Sequence, residues 1–219
     1  MTAVSATTRS SCSTPPQSTQ TATDFPTRPH HLCPAPCRSF RRSKLQWQLE
    51  TKPPVVVGHS FGGVTAGTVR GTAGLIFLNS WILDVGESPA ALLAQTPGEP
   101  GEGLLALPDA DGRLQLDPDD ARAKPHGDVE ESVATRAVEL LRPEPPSIFA
   151  ATPARVSWRD TPSIYLRGQQ DRTIATPLPD RFAARCSRTE TWETSHSPYL
   201  SRPAAVADLI QRQRACAAS

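Results

Sequence analysis

The sequence predicts an α/β fold built on a mainly parallel sheet, and three observations carry that prediction. Val55-Val56-Val57 is a short, continuous β-branched run, the pattern of a strand buried on both faces. A glycine-rich turn, Gly58 to Gly63, follows it directly and opens onto a helix-compatible run. Downstream, short apolar runs alternate with helix-like segments, as βα units require.

Each element can be justified in order. Residues 1–52 are rich in Ser, Thr, Pro and Arg and show no period of 3.6 or 2. A segment that buries so little cannot offset its ordering entropy, so a disordered basic tail is expected there. Residues 53–219 are expected to form one domain. It begins with the strand at 55–57, two helical turns from Val64 to about Arg70, and a second buried strand at Gly74–Leu78. Residues 84–159 are broken by prolines and glycines and read as an inserted cap of short helices. One helix stands out there, Asp128 to Leu141, with Asp128 as cap and Val133, Ala137, Val138 and Leu141 as its apolar stripe. The sheet resumes at Pro162–Leu166, followed by a helix at Pro179–Cys186 and a strand at Thr189–Thr194 carrying Trp192. A closing helix runs from Pro203 to about Arg214, with Val206, Leu209 and Ile210 inward.

Charge and cysteine usage narrow the function classes. The 219 residues carry a net charge of +1, which excludes a strong field for nucleic acid or anionic membranes. Residues 1–54 hold seven Lys/Arg and two acids, net +5, and the remainder sixteen and twenty, net −4, as expected of a basic tail on a separate body. No stretch reaches the length of a membrane span, and the amino terminus lacks the apolar region of a signal peptide. The five cysteines, Cys12, Cys33, Cys37, Cys186 and Cys216, follow no secretory spacing, so a reducing, cytoplasmic location is expected. His30, His31, Cys33 and Cys37 crowd together but match no zinc spacing, so no metal is expected.

The chemistry centres on Gly58-His-Ser-Phe-Gly62. A serine hydroxyl is a weak nucleophile until a base takes its proton. A G-x-S-x-G turn between strand and helix sets the serine on a sharp corner, with small residues at Gly58 and Gly62 letting the two elements close up and Gly63 adding room. Ser60 is therefore the candidate nucleophile, and the backbone N–H of Phe61 the candidate oxyanion donor. In this arrangement an acid and then a histidine should follow, each just after a strand. Asp171, five residues beyond the strand ending at Leu166, and His196, after the last strand, satisfy that order. Asp84 also follows a strand and ranks below Asp171. His126 lies in a loop of the expected cap. His59, beside the nucleophile, and Trp81 and Leu83, just after the second strand, are candidate substrate contacts. For all three a packing role is the plainer reading.

These residues make the chain recognisable by resemblance. Val55–Gly63, Gly74–Ser88, Trp158–Asp171 and His196–Ile210 resemble the α/β-hydrolase superfamily. The likeness is to its branch of small esterases, which takes in plant methylesterase-like proteins, hydroxynitrile lyases and bacterial pyrethroid-type esterases. The resemblance implies a sheet with helices on both faces, a cap over an apolar pocket, and a Ser60–His196–Asp171 triad. It further implies hydrolysis of small esters through an acyl-enzyme without metal or organic cofactor. Nothing in residues 1–52 resembles the family's amino-terminal strands or its His-Gly loop, which supplies a second oxyanion donor. Losing one such donor costs about a hundred- to thousandfold in rate.

The expected function is therefore carboxylester hydrolysis of a small-molecule substrate, with activity impaired to the extent that the second donor is lacking. Two alternatives remain at this stage: an inactive remnant that binds small molecules, and a hydroxynitrile-lyase-like enzyme. No nucleic-acid or membrane partner is expected, and the sequence leaves the oligomeric state open.

Overall fold

The structure, a computed structural model, describes residues 53–216. The expected tail at 1–52, including His30, His31, Cys33 and Cys37, lies outside the described residues.

The continuous apolar runs become strands sandwiched between two cores. β1 (Val55–Ser60), β2 (Gly74–Ser80), β5 (Ser163–Gly168) and β6 (Arg188–Trp192) form a sheet in the order β1-β2-β5-β6, every pairing parallel. Alternation along β2 divides its side chains between the two faces. Leu75 and Phe77 join Trp81, Ile82, Leu83, Tyr165, Leu178 and Phe182 on one face. Ile76 and Leu78 join Ile164, Leu166, Val206 and Leu209 on the other. With both faces covered, β2 tolerates no polar residue until its carboxyl end, which explains the run Gly74-Leu-Ile-Phe-Leu78.

Helices close both faces. α1 (Gly62–Ala66) and α5 (Leu178–Ala183) pack on the first core, and α7 (Pro203–Cys216) covers the second with Val206 and Leu209. α1 is shorter than the two turns expected at 64–70 and begins two residues earlier. Its amino end is pressed against β2: a Cβ added at Gly63 would stand 1.9 Å from Ser80 Oγ and 2.3 Å from the Trp81 carbonyl oxygen. At Gly58 an added Cβ would meet Ala66 Cβ and Gly63 Cα, both at 2.8 Å. The tight pair is thus Gly58 and Gly63, with Gly63 the more constrained; the sequence had singled out Gly58 and Gly62.

Between β2 and β5 the chain makes α2 (Pro89–Gln95), a hairpin of β3 (Ala106–Pro108) and β4 (Leu114–Leu116), α3 (Pro118–Ala123), α4 (Glu131–Glu139) and a 3-10 turn at Pro146–Ala150. Ser88 and Asp117 cap α2 and α3 through their side chains. The helix expected at 128–141 differs from that observed. Glu130, not Asp128, caps it, accepting from the N–H groups of Ser132 and Val133. Ala134 is its buried residue, whereas Val133 of the expected stripe faces solvent. The chain is still in a turn at Asp128, and helical geometry begins only after Glu130.

An ionic corner ties this insertion to the sheet. Arg185 grips both carboxylate oxygens of Glu87 at 2.6 and 2.7 Å, and also donates to the Ile82 carbonyl at 2.6 Å. Arg181 pairs with the same carboxylate, and the Asp84 N–H donates to it at 2.8 Å. The Arg185 hydrogen bonds hold the Glu87 carboxyl down at about 2 against burial, which pushes it up. Asp84, the lower-ranked candidate acid, pairs with Arg159 here. No helix among the described residues is long and apolar enough to cross a membrane.

Two outcomes follow. Gly63→Ala forces α1 away from β2 and should destabilise the fold by about 1–3 kcal/mol in urea titration; an unchanged midpoint would contradict the close approach. Because the folded carboxyl of Glu87 is depressed from 4.5 to about 2, its contribution is complete above 4.5 and is lost as pH falls toward 2. Glu87→Gln should therefore melt below the native chain at pH 6, with the gap narrowing steadily as pH falls from 4.5 toward 2. A gap independent of pH would remove this assignment.

Candidate functional site

Ser60 ends β1 in a left-handed backbone, φ 51°. A non-glycine residue there is strained and persists only where its surroundings fix it. They do so through its carbonyl, which accepts from the Trp81 N–H at 3.0 Å and the Ser80 hydroxyl at 2.8 Å. The chain then turns straight into α1, with Phe61 at the N-cap. An N–H at the start of a helix has no partner inside that helix, so the Phe61 amide, next to Ser60 in the chain, is not taken up by α1.

His196 lies in the loop after β6 and is buried with Asp171, which lies in the turn after β5. Its Nδ1 stands 2.8 Å from Asp171 Oδ2. An ionised carboxylate only accepts, so Nδ1 carries the proton and Nε2 is left bare to take one. The second carboxylate oxygen accepts from the Thr173 N–H at 2.7 Å, which fixes the angle of the group.

Asn79 holds the two loops to the sheet, and the sequence reading missed it. The register of β1 against β2 slips between His59 and Ser60, so that Ser60 pairs with Ser80 and Asn79 is left over, at φ 41°. Its freed side chain bridges β5 to the histidine loop. Oδ1 accepts from the Gly168 N–H at 2.6 Å, and Nδ2 donates to the carbonyls of Ser195 and His196 at 3.0 and 3.1 Å. The available signal was the polar pair Asn79-Ser80 ending an otherwise apolar strand. Ser195 adds a further tie, accepting from the His196 N–H at 2.6 Å.

The expected substrate contacts take other places. His59 is buried, its ring 4.7 Å from that of His196 and 4.8 Å from that of Tyr199. Its Nε2 lies 2.9 Å from the His196 carbonyl, so it donates there and is neutral. Burial, reinforced by the neighbouring His196, holds its pKa well below the ordinary histidine value. This side chain is committed to the histidine loop. Trp81 and Leu83 both belong to the first core. Trp81 packs between Phe61 and Phe182 at 5.4 and 5.5 Å, and the Leu83 carbonyl accepts from Trp158 Nε1 at 3.0 Å. Their apolar character, read as pocket lining, is used for packing under the turn. A cleft of about 570 Å³ opens beside Asp171, among Asn79, Glu102, Arg167, Arg172 and Thr176.

The arrangement can do one thing well. It presents a strained, part-exposed serine, an amide at a helix start, and a buried imidazole whose proton is fixed on the nitrogen facing a carboxylate.

With this geometry in hand, the likeness to known proteins can be weighed. The family model described as "Alpha/beta hydrolase family" matches residues 6–209. The match takes in residues 6–52, where the sequence showed none of the amino-terminal features expected of such a fold. The chain is 25% identical over 200 residues to the alpha/beta hydrolase nvfD of Aspergillus novofumigatus (strain IBT 16806), covering 79% of this chain and 74% of that protein. A pyrethroid hydrolase from Sphingobium faniae JZ-2 superposes with a TM-score of 0.60 at 22% identity, over 74% of this chain and 71% of that one. A methylesterase from Arabidopsis superposes with a TM-score of 0.55 at 20% identity, over 74% and 69%. At these identities the two structural likenesses are likenesses of fold.

Asn79→Ala leaves the Gly168 N–H and two buried carbonyls short of a partner. It should cost on the order of 2 kcal/mol or more in chemical denaturation. A loss below about 0.5 kcal/mol would show that the bridge carries no weight.

Proposed function

The chain belongs to the alpha/beta hydrolase family, and from that premise we propose that it is a serine hydrolase of small carboxylic esters. The single observation that carries the reading is the buried His196–Asp171 pair at 2.8 Å, beyond the carboxyl ends of the parallel strands, the same end of the sheet at which Ser60 holds its left-handed turn. Support also comes from the pyrethroid hydrolase and the methylesterase that share its fold.

Ser60 Oγ attacks the ester carbonyl carbon while its proton passes to Nε2 of His196. The imidazolium that forms is stabilised by Asp171, which accepts from Nδ1–H and keeps its own charge. The carbonyl π electrons move onto oxygen, and the Phe61 N–H donates to the resulting oxyanion. The tetrahedral intermediate collapses, the C–O bond to the alcohol breaks, and His196 returns the proton to the leaving oxygen. Water then repeats the sequence on the acyl-enzyme, with His196 again as base, and releases the acid. His59 and Asn79 are positioning residues: both hold the His196 carbonyl, and neither touches substrate. Residues 84–159 act as the cap, and their inner surface selects the substrate.

Turnover of p-nitrophenyl acetate and butyrate by the full chain tests this reading. Ser60→Ala should abolish it, and Asp171→Asn should lower kcat by about 10⁴-fold by favouring the wrong imidazole tautomer. Equal turnover by the native and Ser60→Ala proteins would overturn it.

A further inference from the structure

The loop that carries His196 is held from two sides. From the sheet, Asn79 donates to the carbonyls of Ser195 and His196, and His59 donates to that of His196. From the cap, the hold runs through Ser195, which is only 2% exposed. A serine hydroxyl gives one hydrogen bond and can accept two. That of Ser195 accepts from the His196 N–H at 2.6 Å and donates to the Lys124 carbonyl at 2.6 Å.

Lys124 is the C-cap of α3. Carbonyls at that end of a helix have no partner within it, so the Lys124 oxygen is open to a donor from elsewhere. α3 in turn is pinned to the rest of the cap. Lys124 Nζ stands 2.6 Å from Asp120 Oδ1 and donates to the Gly103 carbonyl at 2.7 Å. Asp120 Oδ2 accepts from the Leu105 N–H at 2.7 Å, and the Asp117 N–H donates to the Leu105 carbonyl at 2.9 Å. A continuous run of contacts thus leads from the Leu105 backbone through α3 and Ser195 to the amide of His196. His126, two residues beyond Lys124, is buried near the same loop: burial first, and the neighbouring His196 after it, hold its pKa down.

We propose that Ser195 is a positioning residue through which the docking of α3 sets the alignment of His196. The proposal rests on the ester-hydrolase reading for the role of His196 as base, and on the Ser195 hydrogen bonds for its tie to the cap. The base is then aimed by sheet and cap together, and displacement of α3 misaims it. A catalytic group out of line by about 1 Å can cost on the order of a hundredfold in rate, and the loss falls on the chemical step.

Kinetics of the full chain on p-nitrophenyl acetate test the coupling, with melting temperatures reporting that each variant is folded. Ser195→Ala should lower kcat roughly tenfold or more with KM nearly unchanged. Ser195→Thr, which keeps the hydroxyl, should recover most of that loss. Lys124→Ala keeps the carbonyl but frees it from Asp120 and Gly103, and should lower kcat about threefold. The double variant should be no slower than Ser195→Ala, because both changes act on one run of contacts. Where Ser195→Ala does not fold, Lys124→Ala decides. Nitrogen-15 NMR of the His196 ring reads the same alignment without turnover: the proton should sit on Nδ1 in the native chain and be shared between both nitrogens in Ser195→Ala. A lowered melting temperature with kcat and ring tautomer unchanged, or effects of the two substitutions that simply add, would overturn the proposal. A native chain that hydrolyses no ester would overturn the hydrolase reading instead, and the tautomer comparison would still decide whether Ser195 aligns His196.

Discussion

The site depends on a one-residue slip between two parallel strands. Had β1 and β2 kept register to their ends, Ser60 would pair with Asn79 and neither side chain would be available. The slip instead sets Ser60 opposite Ser80. The Ser80 hydroxyl and the Trp81 amide then hold the Ser60 carbonyl and so sustain the left-handed turn. The same slip ejects Asn79 sideways, where its amide reaches the end of β5 and the loop carrying His196. One irregularity thus shapes the turn at Ser60 and ties the loop carrying His196 to the sheet. Gly63 belongs to the same constraint, since only a residue without Cβ lets α1 start so close to Ser80.

The electrostatics follow from burial. A lone buried imidazole stays neutral, as His59 does, and its single N–H is used on the His196 carbonyl. His196 has the carboxylate that His59 lacks, 2.8 Å from its Nδ1, a partner that favours a charged imidazole. Charge is concentrated where it is paired, as at Glu87 with Arg181 and Arg185.

Much of this was legible in the sequence, and the reasons are particular. Val55–Val57 and Gly74–Leu78 announced strands because a sheet covered on both faces demands unbroken apolar runs. The G-x-S-x-G turn and the order of Asp171 and His196 were readable because strand ends lie close in sequence to the residues they present. The helix at 128–141 was misjudged at its start, because Asp is the better N-cap by type, and only the path of the chain shows that Glu130 takes that place. Asn79 was invisible because a register slip is a property of two strands together, and no single segment encodes it. For His59, Trp81 and Leu83 the sequence offered substrate contact beside packing as the plainer reading, because proximity in sequence to Ser60 and to a strand end does not say which way a side chain turns.

The most direct test of the central claim is active-site labelling. Incubation of the folded full chain with a fluorophosphonate, followed by peptide mass analysis, should find one adduct, on Ser60, and none after His196→Ala. A folded protein that carries no adduct, or carries it on another serine, would contradict the account, because the turn at Ser60 would then hold no activated nucleophile.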